Sequence, residues 1–276
     1  MSFDPALPDD SVNVSRTHPV REALVLVAGI AGIGAGLFVA IALAVDLLVP
    51  RFPPQLESWL FDGSWLSVAD GSREGEAADP RSAVVDDLLM RLSAHWPDHP
   101  YAFRAVVLEE DEPNAMAFPG GVIVVTSGLL DRVESENELA FVLGHELGHY
   151  QHRDHLRGLG RGLAFGLVMT ALGWGGGGTA RLFTFAGLLA GRGFERDQEA
   201  AADAFGLGLV DAEYGHVAGA ADFFRRLPDP NDGVTERIAS YLATHPVSAE
   251  RIQALSRTAE EQGWSALGPV IPLATE

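Results

Sequence analysis

Cysteine is absent from this sequence, and its basic residues are few and are all arginine. Without cysteine the chain can form neither disulfides nor thiolate metal sites, so a bound metal would be held by His, Asp or Glu. The 19 basic residues stand against 38 acidic ones, which gives a formal net charge of -19. This balance argues against a nucleic-acid partner, because the phosphate backbone demands a basic surface.

Charged residues are also missing from one long stretch, residues 23–45, which is apolar on all sides. A transmembrane helix needs roughly 20 apolar residues, so we predict a transmembrane anchor over residues 23–49 that contacts the lipid bilayer. Residues 1–22 are polar and are expected to form a disordered tail. A cleavable signal peptide is the competing interpretation, but the polar leader is long and the apolar stretch exceeds a usual signal core.

The rest of the chain is long enough for one domain with a substantial core. Residues 50–80 contain several prolines and glycines around a few aromatics, which is typical of a linker or docking segment. Residues 81–276 are predicted to form one domain, beginning with an amphipathic helix over residues 82–96. A small sheet is predicted from segments rich in Val, Ile and Phe at residues 103–109, 114–118 and 122–126.

The next predicted helix carries two histidines on one face. Ser135 and Glu138 have the spacing of a capping box directly before an apolar run, so the helix begins there. His145 and His149 lie four residues apart, hence one turn apart, where both can bind one zinc ion. Glu146 lies beside them and can take a proton from a metal-bound water. The same five residues could also match by chance on a solvated helix, so their context matters.

An alanine-rich helix further along supplies that context. Glu199 and Asp203 are four residues apart on one face, and Glu199 can be the third ligand of a single zinc ion. Asp203 is placed to accept a hydrogen bond from the non-coordinating nitrogen of a ligand histidine. A solvated pair of acidic residues is the alternative, but two like charges one turn apart favour a cationic partner.

Four separated motifs together resemble a known family. They are residues 114–129, residues 145–149, residues 196–203, and Thr244-His-Pro followed by Arg251. The order and spacing of these motifs resemble the membrane zinc proteases that include the HtpX heat-shock proteases and the CAAX prenyl endopeptidases. The similarity is closer to members with a single anchor and a compact domain.

This resemblance implies an α+β, zincin-like fold: a mainly helical domain with a small mixed sheet next to the zinc helix, plus the N-terminal transmembrane helix. It implies that His245 stabilises the transition state or is a fourth zinc ligand at rest, while a buried core histidine is the alternative. Arg251 is expected to pair with a carboxylate behind the metal. The sheet edge that pairs with an extended substrate would comprise Asn114, Ala115, Met116 and Ala117.

Residues 158–193 are apolar, but Arg161, Arg181 and four successive glycines divide them into stretches shorter than a bilayer requires. We interpret them as a helical hairpin that covers the active site, and a membrane hairpin is the alternative. Arg16 and Arg21 precede the anchor and weakly favour a cytoplasmic N-terminus. The domain would then lie outside the cytoplasm, at a bacterial inner membrane.

The sequence therefore predicts a membrane-anchored zinc endopeptidase, with one Zn²⁺ per chain and protein or peptide substrates. The resemblance implies a role in quality control of membrane or envelope proteins. A membrane-tethered, metal-binding chaperone or scaffold with a latent site is an alternative, although such a site would gain nothing from the base Glu146. A zinc hydrolase of non-peptide amides is another, for which a substrate-pairing strand would have no purpose.

Overall fold

The computed structural model describes residues 18–61, 80–171, 196–227 and 245–273. Helix α1 (Pro19–Leu48) is followed by a 3-10 turn (Val49–Arg51), and together they are long and apolar enough to cross a membrane. Residues 19–22, which we had placed in a disordered tail, belong to this helix. Proline is well suited to the first helical position, because its missing N–H is unpaired there anyway.

Helix α2 and the domain follow the anchor in chain order. Their bounds are α2 (Pro54–Leu60), α3 (Ser82–Ala94), β1 (Arg104–Leu108), β2 (Ala115–Phe118), β3 (Val122–Thr126), α4 (Ser127–Leu130), α5 (Glu136–His152), α6 (Asp154–Ala171), α7 (Arg196–Tyr214), α8 (Asp222–Arg226) and α9 (Ala249–Gln262). This mainly helical content with one small sheet confirms the predicted α+β class.

The three strands form a mixed sheet in the order β1-β3-β2. Strand β1 is parallel to β3, whereas β2 is antiparallel to it, with Ala115 opposite Val125 and Phe118 opposite Val122. The β2–β3 turn contains Gly120 at φ 91°, a backbone conformation that favours glycine. Within the described part of the chain, no strand pairs with the other side of β2, which is the edge strand of this sheet there.

Helix α5 lies at the centre of the domain, where all of its residues from Asn137 to Tyr150 are buried. A helix that is covered on all sides must be packed by several elements. The helix α7 crosses it very closely: a Cβ atom on Gly148 would lie 2.6 Å from the Cα of Ala202. Gly144 and Gly206 face each other at the same crossing, with a Cβ on Gly144 only 3.0 Å from the Cα of Gly206. These glycines let the two backbones approach.

Helix α6 runs antiparallel along the membrane anchor α1. Arg161 forms an ion pair of 2.9 Å with Asp46 near the end of α1. Further along α6, the ring of Phe165 meets that of Phe38 edge-on at 6.1 Å. The hairpin that we predicted over residues 158–193 is described only as far as residue 171, and that part packs against the anchor. Residues 172–193 lie outside the described residues.

The C-terminal end of the anchor is also hydrogen-bonded to the residue that follows α5. Arg153 follows α5 in a left-handed conformation, with φ 60°. Its guanidinium donates a hydrogen bond of 3.0 Å to the carbonyl of Val49 and another to the carbonyl of Phe52. The anchor and the central helix are therefore directly connected.

Candidate metal centre

Two histidines of α5 point their ring nitrogens at one spot. The hydroxyl of Ser135 accepts a hydrogen bond of 3.2 Å from the N–H of Glu138, which caps the start of the helix as the sequence pattern predicts. One turn apart, the Nε2 atoms of His145 and His149 approach to 3.1 Å, and both side chains are fully buried. Two nitrogen lone pairs at this distance repel each other unless a proton or a metal ion lies between them.

A carboxylate from α7 lies near the same two nitrogen atoms. Oε1 of Glu199 lies 3.4 Å from Nε2 of His149, and its Oε2 lies 3.7 Å from Nε2 of His145. Both positions depend on the close crossing of α5 and α7, because the glycines at that crossing remove the side chains that would separate the helices. The sequence analysis assigned Glu199 and the two histidines to one site, and the structure places them together.

His245, which lies just before α9, completes the cluster. Its Nδ1 atom lies 3.1 Å from both Nε2 of His145 and Oε1 of Glu199. Its other ring nitrogen, Nε2, lies 3.4 Å from Oε1 of Glu146. His245 therefore stands between the metal-binding groups and the expected base. Thr244, which belongs to the same motif, lies outside the described residues.

The donor set fits a zinc ion. One ligand atom from each of His145, His149, Glu199 and His245 lies within 4.8 Å of the others, and all four residues are buried. A tetrahedron with zinc–nitrogen bonds of about 2.0 Å has edges of about 3.3 Å, close to the separations found here. Oε1 of Glu146 is buried and has no hydrogen-bond partner among the described residues. Such an atom is available to a water molecule or substrate.

Asp203 and Arg251 lie behind His145 and Glu199. Oδ1 of Asp203 lies 2.9 Å from Nδ1 of His145, on the side of the ring away from the cluster. Arg251 binds both oxygens of Asp203, at 2.8 and 2.7 Å, and also contacts Oε2 of Glu199. Its guanidinium lies 4.9 Å from the ring centre of Phe224. One arginine thus holds two of the acidic groups in place.

Asp154 has the corresponding position behind His149, and the sequence analysis missed it. Its Oδ2 lies 3.2 Å from Nδ1 of His149, and the carboxylate is fully buried. Its Oδ1 accepts hydrogen bonds from Arg157 at 2.9 Å and from Gln198 at 2.6 Å. The sequence does show a carboxylate shortly after the second histidine. Because the helix ends between the two residues, the sequence pattern does not predict that this carboxylate points to His149.

The carboxylates favour positive charge at the centre of the cluster. Burial lowers the pKa of His149, but its hydrogen bonds with Asp154 and Glu199 outweigh that effect and raise the pKa to about 9. Burial raises the pKa of Glu199, but the neighbouring His245 and His145 hold it well below its usual value. A divalent cation satisfies the same carboxylates that would otherwise hold a proton on the histidines.

The predicted substrate edge lies beside α5. The hydroxyl of Tyr150, the residue after His149, shares its one proton between the carbonyls of Phe118 and Val122, the latter at 2.9 Å. Three of the four residues that we assigned to this edge, Ala115 to Ala117, lie in β2, and Asn114 directly precedes it. The backbone of Asn114 is still paired with Thr126, to which its carbonyl is joined by a bond of 3.0 Å.

The fold and the cluster together are those of a zincin-like domain with a metal-binding centre. The chain belongs to peptidase family M48, whose family model matches residues 79–259. This confirms the resemblance drawn from the four motifs.

Several curated proteins are similar to this chain. A putative beta-barrel assembly-enhancing protease of Vibrio cholerae is 32% identical over 180 residues, which cover 61% of this chain and 37% of that protein. The metalloprotease LoiP of Escherichia coli is 33% identical over 145 residues, covering 51% and 56% respectively. The mitochondrial metalloendopeptidase OMA1 of Arabidopsis thaliana is 29% identical over 156 residues, covering 56% and 31%. The matched region thus covers between 31% and 56% of the length of these relatives.

Proposed function

We propose that this chain is a membrane-anchored zinc endopeptidase that hydrolyses peptide bonds in protein substrates. The observation that carries this proposal is the convergence of His145, His149 and Glu199 on one buried point, with the carboxylate of Glu146 beside it. Membership of family M48 supports it, because the family is one of metalloproteases. We assign His145, His149 and Glu199 as the ligands of one Zn²⁺ per chain.

The chemistry follows from the positions of the side chains. A bound zinc ion would polarise the scissile carbonyl and make its water easier to deprotonate. Glu146 takes the proton of that water and later gives it to the leaving amine, as its buried Oε1, which makes no hydrogen bond among the described residues, allows. His245 is within reach of both the metal-binding groups and Glu146 and stabilises the developing negative charge. Asp203 and Arg251 hold His145 and Glu199 in orientation.

The β2 edge of the sheet is the proposed substrate site. An extended peptide that pairs with Ala115, Met116 and Ala117 would lie antiparallel or parallel to β2, directly beside α5. Main-chain hydrogen bonds of this kind tolerate many sequences, which suits an enzyme that degrades varied proteins. Pairing also keeps the peptide extended, the conformation in which a scissile bond is accessible.

A membrane location is supported by the exposed apolar helix α1. One similar protein is named as an enhancer of beta-barrel assembly and another as a mitochondrial metalloendopeptidase. We propose that residues 23–49 anchor the chain in a bacterial inner membrane, with the domain outside the cytoplasm, and that it removes damaged membrane or envelope proteins. Protease accessibility of a tag after residue 276, in sealed vesicles of known orientation, tests this topology.

A latent, scaffold-type site is the second candidate, because His245 closes the cluster as a fourth group. In that case the wild type would not cleave substrate, and His245→Ala would cleave it. In the proposed enzyme, His245→Ala instead lowers kcat.

The decisive experiment compares cleavage of a loosely folded protein by the full chain, by Glu146→Gln and by Glu250→Gln, an exposed matched control. We expect Glu146→Gln to lose at least about 100-fold in kcat while it binds one zinc per chain. Glu250→Gln should cleave normally. A chelator should abolish cleavage and added zinc should restore it. Equal cleavage by all three proteins would refute the proposal.

A further inference from the structure

Glu57 is a fully buried carboxylate in α2, between the membrane anchor and the domain. It lies outside residues 79–259, the region that the family model matches. A carboxylate is rarely buried without partners, because its charge must be stabilised by hydrogen bonds or an opposite charge. The groups that stabilise the charge of Glu57 therefore indicate which parts of the domain α2 contacts.

Three separate parts of the domain donate to this one side chain. The hydroxyl of Tyr101, before β1, donates to its Oε2 at 2.9 Å. The N–H of Gly120, in the β2–β3 turn, donates to its Oε1 at 3.1 Å, and Nε2 of His155, at the start of α6, lies 2.9 Å from the same oxygen. Burial raises the pKa of Glu57, but these bonds outweigh it and lower the pKa below the usual value. Glu57 is thus ionised near neutral pH.

The contact with the β2–β3 turn is especially close. A Cβ atom on Gly120 would lie 1.9 Å from the carbonyl oxygen of Phe61, so only glycine fits against the end of α2. The turn is also held by Tyr150, whose hydroxyl shares its one proton between the carbonyls of Phe118 and Val122. The end of β2 is therefore clamped between α2 and the zinc-binding helix α5.

We propose that Glu57 is a positioning residue for the substrate-binding edge, fixing the end of β2 against the juxtamembrane helix. This inference rests on the proposed function, since it takes β2 as the strand that pairs with the substrate. It also gives residues 50–61 a role, which the sequence alone did not provide. The segment between the anchor and the domain is thereby part of the cleft and does more than connect the two.

Two substitutions of Glu57 distinguish the effect of its hydrogen bonds from the effect of its charge. Glutamine keeps an oxygen that can accept from Gly120 and His155, and its amide can donate to the oxygen of Tyr101. Alanine removes all three interactions and leaves the turn free on one side. Gln55 lies on the exposed face of the same helix, so Gln55→Ala is a matched control that changes α2 without touching the turn.

Kinetics of the zinc-loaded, full-length protein on an extended peptide test the proposal. For Glu57→Ala we expect KM to rise about fivefold to tenfold, as for loss of one ordered hydrogen bond or slightly more, with kcat within about twofold. Glu57→Gln should restore KM, and Gln55→Ala should match the wild type. Equal KM values for Glu57→Ala and Gln55→Ala would overturn the proposal. If Glu57→Ala does not fold, Glu57→Asp, one methylene too short for Gly120, should show the raised KM.

Hydrogen exchange of the backbone gives a second readout that needs no activity. The amides of residues 120–122 should exchange faster in Glu57→Ala than in the wild type, Glu57→Gln or Gln55→Ala. Unchanged exchange would overturn the inference even in an active enzyme. If the wild type proves to cleave nothing, the proposed function fails, whereas faster exchange in Glu57→Ala would still show that Glu57 fixes this turn.

Discussion

Oδ2 of Asp154 lies 3.2 Å from Nδ1 of His149, on the side of the ring that faces away from the metal-binding cluster. Asp203 has the same relationship to His145, at 2.9 Å. Each histidine of the motif is thus oriented by its own carboxylate, one from α6 and one from α7. This pairing fixes which nitrogen of each ring points to the metal.

Replacing Asp154 with asparagine should weaken metal binding. The loss of a carboxylate behind a ligand histidine typically costs about 10- to 100-fold in metal affinity, because the ring becomes less basic and less well oriented. Competition with a coloured zinc chelator measures this change. Asp197→Asn, at an exposed position on α7, is the control and should bind zinc as the wild type does. Wild-type affinity in Asp154→Asn would contradict the role.

Replacing Arg251 with methionine should destabilise the domain strongly. Asp203 and Glu199 are both buried and both contact Arg251, so its removal leaves two acidic groups without their cation. We expect a loss of about 3–5 kcal/mol in the free energy of unfolding of the metal-free protein. Chemical unfolding curves measure it, with the exposed Arg257→Met as control. Excess zinc should recover part of the loss, and a change below about 1 kcal/mol would contradict this prediction.

Adding a methyl group at Gly148 should disturb the metal centre. The new Cβ would lie 2.6 Å from the Cα of Ala202, so α5 and α7 must move apart and carry Glu199 away from the histidines. We expect both the melting temperature and the zinc affinity of Gly148→Ala to fall. Gly208→Ala on α7 meets only the ring of Trp264, at 3.4 Å, and should be neutral or stabilising by up to about 1 kcal/mol. Similar behaviour of both variants would argue against a tight crossing.

The stability contribution of Glu57 should disappear in acid. Its pKa in the folded protein is below the ordinary value of 4.5, so the unfolded chain takes up a proton more readily than the folded one. The contribution is therefore fully present above pH 4.5 and is lost as the pH falls through the lower, folded pKa. Melting temperatures of wild type and Glu57→Gln, both without metal, should differ at pH 7 and converge in acid as the pH falls through the folded pKa of Glu57. A constant difference would contradict this assignment.

The sequence predicted the elements whose local patterns are strong. The capping box at Ser135 placed the start of α5, and the four-residue spacing of His145 and His149 placed both on one face. The sheet was also predicted, because β-branched runs and tight turns bound its strands. The roles of the individual site residues stay predictions until metal and substrate binding are measured.

Other features depended on tertiary contacts that no local pattern encodes. Asp154 was missed because Arg153 adopts a left-handed conformation that a sequence would assign to glycine or asparagine, and this break redirects the chain toward His149. Glu57 was missed because it lies in a segment rich in proline, where burial depends wholly on docking. His245 was noticed only through the family resemblance, since its partners are distant in sequence.

Strand β2 is the edge strand of the sheet in the described part of the chain, and edge strands in many proteins promote self-association. It has only four residues, and Met116, Ala117 and Phe118 are half-buried. A short, recessed edge of this kind gives another folded copy too few partners for a stable intermolecular sheet. In the proposed enzyme, a chain that has already lost its fold could still pair an extended segment with β2. The geometry that limits pairing between folded copies would thus also limit the proposed cleavage of intact neighbours.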